Sequence, residues 1–189
     1  MTSGTALKLP AVGVWDFETA HTTIGFVARH LMVTKVRGRF TKFDASVTIG
    51  ESIEQTKVVA NIDVASVTTT DEKRDGHLRS ADFFDVEKFP TMAFSSTSVS
   101  AVDENHLSLK GDLTIRDVTK PVTIDVEYLG ATKNPWGIDT AAFSGSTEID
   151  REEWGLSWNQ PLAGGGVLVG KKVQLEFEIQ AHPHQESGA

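Results

Sequence analysis

The chain has 189 residues, 39% of them hydrophobic, with 26 acidic against 18 basic side chains, a formal net charge of −8 and no cysteine. That length fits one domain with a real core, and the missing thiols rule out disulfides, thiolate catalysis and cysteine-ligated zinc or iron–sulfur sites. The acidic balance opposes nucleic-acid binding, which rests on clustered Lys and Arg; the dense basic stretch, Arg29 to Lys42, is interleaved with Val33, Val36 and Phe40. No run approaches the ~20 apolar residues of a membrane-spanning helix. Met1 to Val14 lacks the basic and apolar regions of an export signal, so the expectation is a cytoplasmic protein with at most transient membrane contact.

In chain order, Met1 to Ala11 reads as a fraying end and Trp15 to Thr19 as a short strand. Thr23 to Arg29 sets Ile24, Phe26 and Ala28 on one face, with His30 in phase at its end. Arg37 to Ile49 is a longer run in which Phe43, Ala45, Val47 and Ile49 alternate with polar residues. Gly50-Glu51-Ser52 has turn chemistry, and Lys57 to Val64 resumes the alternation. Between Thr69 and Phe89 the period of two stops. Thr69 and Glu72 fit a capping box, and Gly76 limits regularity, so one or two short helical pieces are expected. Strands return at Thr91 to Val99, at His106 to Ile115 and at Val122 to Leu129, with Pro121 expected to break the ladder. After Asn134-Pro135, the run from Trp136 to Ile149 carries small residues (Ala141, Ala142, Ser144, Gly145, Ser146) where a sheet bends or a ligand comes close. Arg151 to Gly166 reads as irregular. The last strand, from Val173, places Val173, Leu175, Phe177 and Ile179 on one side and Gln174, Glu176, Glu178 and Gln180 on the other. Side chains two apart share a face, so strand after strand has one apolar and one wet side.

No helix in this pattern is long enough to cover so much apolar sheet, and a sheet closed on itself solves that problem; periodicity alone leaves an up-and-down barrel and a sandwich both open. A barrel either fills its interior with side chains or encloses an apolar molecule. The densest polar cluster, Arg74-Asp75-Gly76-His77-Leu78, has two readings. In one, Arg74 and Asp75 tie a short helix to its neighbours and Leu78 is a plug. In the other, Asp75 and His77 form an acid–base pair, although no nucleophile motif or metal spacing accompanies them. His30 is either a hydrogen-bonded core histidine or a head-group contact at a barrel mouth, and His21 reads as a turn residue. Trp154, Trp158, Phe83, Phe84 and Phe89 are plugs or a rim.

Four ordered stretches resemble the YceI-like family. They are Trp15-Asp16, His21, Ile24, Phe26, His30, Gly38, Phe40 and Phe43; then Thr69, Arg74-Asp75, His77-Leu78, Phe83-Phe84-Asp85, Phe89-Pro90 and Phe94; then Gly111 to Ile115 with Val118 to Val122; and finally Ile149, Arg151, Trp154 and Gly155. The resemblance implies an all-β fold, an extended antiparallel eight-stranded lipocalin-like β-barrel with one short helical segment, spanning residues 12–182 between flexible termini at 1–11 and 183–189. It also implies a hollow barrel holding a bound isoprenoid or other long-chain lipid, no further cofactor or metal, no catalysis, and a possible homodimer. Two positions depart from the family, Ala45 and Asp117, where glycine is common and a turn or bend is expected; the export signal of many relatives is missing as well. Candidate ligand-binding residues are the inward apolar positions Ile24, Phe26, Phe94, Leu113, Ile115, Ile124, Val126, Phe143 and Phe177, with Phe83 and Phe84 near an opening and His30 and Arg74 at the head group. A register slip of one residue would invert any strand's set.

Overall fold

The computed structural model describes residue 7 and residues 9–186. Eleven strands form one continuous antiparallel sheet that closes on itself. They are β1 (Gly13–Phe17), β2 (Thr23–His30), β3 (Thr34–Phe40), β4 (Phe43–Ile49), β5 (Lys57–Asp63), β6 (Val67–Thr68), β7 (Thr91–Ala101), β8 (His106–Ile115), β9 (Val118–Lys133), β10 (Asp139–Asp150) and β11 (Val169–Pro183). Six of them lie end to end in pairs. β2 lies along the first part of β11 (Ile24 opposite Phe177) and β1 along its last part (Trp15 opposite Pro183). β3 pairs with β2 and β6 while β4 pairs with β1 and β5. The result is a closed eight-stranded up-and-down barrel with one short helix, α1 (Glu72–Arg79). Closure removes the exposed sheet edges and turns every apolar face inward, which decides between barrel and sandwich.

Several local expectations change in this setting. The long run from Arg37 divides at Thr41 and Lys42, whose amides both donate to Ser66 Oγ, at 3.1 and 3.0 Å. The run nevertheless keeps one direction, so β3 and β4 act as a single bent stave. Pro121 does not break the ladder but sits inside β9 opposite Asp112 of β8. β10 joins the other side of β9 only from Asp125 onward, so proline at 121 removes no hydrogen bond from that second ladder. The reversal falls instead at Arg116-Asp117, where Arg116 holds φ 57°. Asp117 thus lies in a turn, whereas Ala45 is a buried residue within β4.

Thr69 does not cap the helix. Asp71 does, its carboxylate accepting from the Arg74 amide at 2.9 Å. Thr69 is drawn away because both its amide and its hydroxyl donate to Asp75, at 2.7 and 2.6 Å. β11 extends to Pro183, and the His184 amide donates to the Val14 carbonyl at 2.8 Å. Expectations for residues 1–6, 8 and 187–189 lie outside the described residues.

One apolar cluster runs through the barrel interior and a second sits at one end. Where β1 starts and β11 stops, Trp15 packs with Val47, Ile49, Ala141 and Ala181, and its indole donates to the Ala11 carbonyl at 2.9 Å. At the other end, Trp154 and Leu156 from the 151–168 loop and Phe83 from the α1 segment cover the interior, the Trp154 indole donating to the Leu113 carbonyl at 3.0 Å.

Candidate functional site

Between these two ends the barrel is hollow. A cavity of about 620 Å³ runs along the interior, from Leu9, Phe17 and Ile53 at one end to Ala28, His30 and Arg74 at the other. The inward face of β11 registers the void: Val173, Leu175, Phe177 and Ile179 face the lumen yet remain only half-buried, because space rather than a packed neighbour stands opposite them. Inward residues of β8, by contrast, are buried.

Two glycines help keep this space open. The Phe26 ring lies across Gly38 of the adjacent strand, and a Cβ built on Gly38 would come within 2.2 Å of Phe26 Cζ. Phe94 lies over Gly111 in the same way, at 2.4 Å. Both rings are laid against the wall instead of projecting across the lumen, which is a physical reason for glycine at these two motif positions. Phe26 also meets Phe40 at 5.9 Å between centroids, and Phe40 meets Phe84 at 5.8 Å.

The candidates named from alternation all border this cavity. Ile24 and Phe26 reach it from β2, Phe94 from β7, and Leu113 and Ile115 from β8; Ile124 and Val126 come from β9, Phe143 from β10 and Phe177 from β11. Phe83 and Phe84 reach it from the segment after α1, and His30 and Arg74 from the end near the β2–β3 hairpin. The same alternation that marks Phe177 also marks Val173, Leu175 and Ile179, as well as Ile62, Met92 and Leu109. Trp158 and Leu168 come from an irregular loop where no period exists to find them.

Among the described residues, the exposed part of the lumen's lining lies at one end. Its exposed lining residues are Arg29, Asp71, Lys73 and Arg74, all at the β2–β3 hairpin and the start of α1. This mouth is built by a small polar frame. Arg74 donates through Nε to Thr69 Oγ1 at 2.7 Å and through Nη2 to the Thr69 carbonyl at 3.0 Å. Arg79 donates to the Ala65 and Val67 carbonyls, each at 2.9 Å. Burial by itself pushes the Asp75 carboxyl up; the hydrogen bonds from Thr69 and Thr68 and the nearby Arg79 charge outweigh it, and the group titrates below the ordinary carboxylate range. Arg74 and Asp75 therefore tie the helix to the strand before it, and Leu78 lines the lumen beside them.

Asp75 and His77 do not form an acid–base pair. Residues two apart on a helix face different ways, and the acid bonded to His77 is Asp82, at 2.9 Å from Nε2. The His77 ring instead stands edge-on to Trp158 and Phe83, with centroids at 4.5 and 5.0 Å, as part of an aromatic wall. Arg151, buried at the lumen's edge, spends its guanidinium on the carbonyls of Gly170, Leu156 and Val169. Burial lowers its pKa, with Glu152 and Asp150 working the other way. Among the described residues no group of three His, Asp or Glu side chains is placed to hold a metal, and no helix is long and apolar enough to cross a membrane.

A closed barrel around an apolar lumen is the class of fold this chain has. Residues 15–181 match the YceI-like domain, and the chain belongs to that family. It is 39% identical to a UPF0312 protein of Vibrio cholerae over 164 residues, covering 86% of this chain and 85% of that one. Among solved structures it is similar to BcnA of Burkholderia cenocepacia (TM-score 0.75, 24% identity, 87% and 99% covered). It is also similar to a polyisoprenoid binding domain from Saccharophagus degradans implicated in plant cell wall breakdown (TM-score 0.65, 16% identity, 92% and 100% covered). At those identities the two structural likenesses speak to the fold.

Proposed function

We propose that this protein binds a long-chain apolar lipid of the polyisoprenoid or isoprenoid-quinone type in the barrel lumen, and carries or stores it without altering it. The observation that carries this reading is the 620 Å³ apolar cavity whose exposed polar lining gathers at one end. At about 30 Å³ per water-sized group, such a space takes on the order of 20 heavy atoms, the size of about four isoprene units. Burying one methylene contributes ~0.8 kcal/mol, so the enclosed tail supplies on the order of 10 kcal/mol gross. A single head-group hydrogen bond nets ~1 kcal/mol. The tail sets affinity, and His30 and Arg74 at the mouth orient the head. The structural likeness to a polyisoprenoid binding domain supports the same ligand class. A catalytic role finds no support in the geometry, since the candidate pair Asp75 and His77 serves two separate structural contacts.

The test is native mass spectrometry of the purified protein, followed by solvent extraction and identification of any retained lipid. Recovery of an unmodified prenyl-type lipid is the expected result. A barrel that retains nothing and fails to take up a long prenyl alcohol added in micelles overturns the reading. A modified product that disappears in His77→Ala would restore the enzyme.

A further inference from the structure

The tip of the β2–β3 hairpin combines three features that local folding disfavours. First, Leu31, Met32 and Val33 are exposed, at 44, 56 and 74%. Second, Leu31 and Met32 hold φ of 52° and 62°. They are the central residues of a turn closed by the Val33 amide donating to the His30 carbonyl, and this φ pattern is that of a type I′ turn, which prefers Asn-Gly. Two bulky apolar residues in left-handed backbone are strained there while much of their surface stays exposed. Third, Arg29 stands directly opposite Lys35 across the strand pair, a like-charge juxtaposition that destabilises a sheet.

Charge along the hairpin itself is of one sign. Residues 19–43 contain no carboxylate but carry Arg29, Lys35, Arg37, Arg39 and Lys42, all exposed. Arg37 pairs with Glu176 at 2.8 Å; among the described residues no carboxylate lies within ion-pair distance of the other four. Asp71, engaged as the helix cap, and Glu72 are the exposed acidic residues where α1 begins, Asp75 being buried against Thr69. The opposite end also exposes apolar tips, Trp136 and Val102, but Asp103 and Glu104 follow Val102 directly. The tip is tied to the barrel by the Leu31 amide on the Leu168 carbonyl at 2.8 Å and closed by Arg29 Nη1 on the Val33 carbonyl at 3.2 Å.

We propose that this hairpin docks the barrel on the surface of an anionic lipid bilayer. Leu31, Met32 and Val33 enter the interface while the cations around them meet lipid phosphates. Ala28, Arg29, His30 and Val36 at the root of the same hairpin line the lumen, so docking sets the mouth against the bilayer, and an apolar tail passes between membrane and barrel without crossing open water. The tip's charge and shape stand whatever lipid the lumen holds.

The experiment is co-sedimentation of the full chain with vesicles of phosphatidylcholine alone or mixed with phosphatidylglycerol, alongside thermal unfolding and sedimentation velocity without vesicles. The wild type is expected to bind the anionic vesicles about tenfold or more tightly. The double variant Leu31→Asn, Met32→Gly suits the turn better, and Lys35→Glu replaces the like-charge pair with an opposite one. Both variants should unfold at or above the wild-type temperature yet lose most vesicle binding, whereas Trp136→Ser should bind as wild type. Equal binding to both vesicle types, unchanged binding by the variants, or binding lost only together with stability overturns the proposal. So does self-association through the tip without vesicle binding, which would make it a dimer contact. Extraction of the bound lipid is a separate readout, so an empty barrel that still sediments with anionic vesicles would refute the carrier reading and leave the docking surface standing.

Discussion

At the scale of single residues, the lumen depends on side chains that are absent as much as on those present. Placing Cβ atoms at Gly38 and Gly111 would drive the Phe26 and Phe94 rings off the wall, since both contacts are under 3 Å. Gly38→Ala is expected to swing Phe26 toward the lumen, which its ring already borders. Overpacking of this kind costs about 1–3 kcal/mol, and here the vacancy keeps the cost at the low end. Capacity suffers more than stability: binding of a long prenyl probe should weaken clearly while the unfolding midpoint moves little, and the double variant Gly38→Ala, Phe26→Leu should recover binding. Arg151 behaves in the opposite way. Its guanidinium donates to three carbonyls in a buried setting; Val169 also accepts from Asn159, so Arg151→Met takes this donor from the Gly170 and Leu156 carbonyls and should destabilise the fold by about 3 kcal/mol, measured by urea unfolding. Lysine, with a single point charge, should recover only a fraction.

At the scale of elements, α1 is held by polar ties more than by packing, its exposed residues outnumbering the buried one, Asp75. Those ties are titratable. Because the Asp75 carboxyl is depressed in the folded protein, its contribution is complete above the unfolded carboxylate range near pH ~4. It is lost as pH falls through the lower folded value, since the unfolded chain takes up the proton first. Acid titration of stability should therefore steepen below that range in the wild type, and Asp75→Asn should remove this component while lowering stability at neutral pH. A wild-type curve that superimposes on that of Asp75→Asn in shape would mean the tie to Thr69 contributes nothing. Loss of the tie should also loosen the mouth, because Arg74 and Thr69 belong to the same frame.

At the scale of the whole molecule, an enclosed volume makes a quantitative statement about ligands. Affinity should climb steeply with tail length while each added methylene is buried at ~0.8 kcal/mol, then flatten once the lumen is full, at about four isoprene units by the volume available. Head-group exchange at constant tail should change affinity far less. A titration series of prenyl alcohols of increasing length, with Kd from competition, checks both. Affinity that keeps rising well past that length would point to a lumen that extends or a mouth that wraps the protruding tail. Bound lipid should also raise the unfolding temperature, since a ligand held by the native state alone stabilises it by mass action.

The strand pattern was legible in the sequence because a pleat alternates every residue: β8 is found from His106 to Ile115 at its true limits, and the inward set of β11 follows from Val173 onward. The lining residues follow from the same alternation once closure is assumed. What one strand cannot say is which neighbours it has. Pro121 reads as a break until β8 is seen on one side and no β10 beside it on the other, and Thr69 reads as a cap until Asp75 is seen to claim it. Asp75 and His77 look like partners in sequence and are separated by helical geometry. The hollow itself belongs to the tertiary level, since apolar alternation specifies a greasy interior but not whether opposing side chains meet across it. Here a lumen remains, because the ring of eight staves holds the walls apart and glycines let the large rings lie flat.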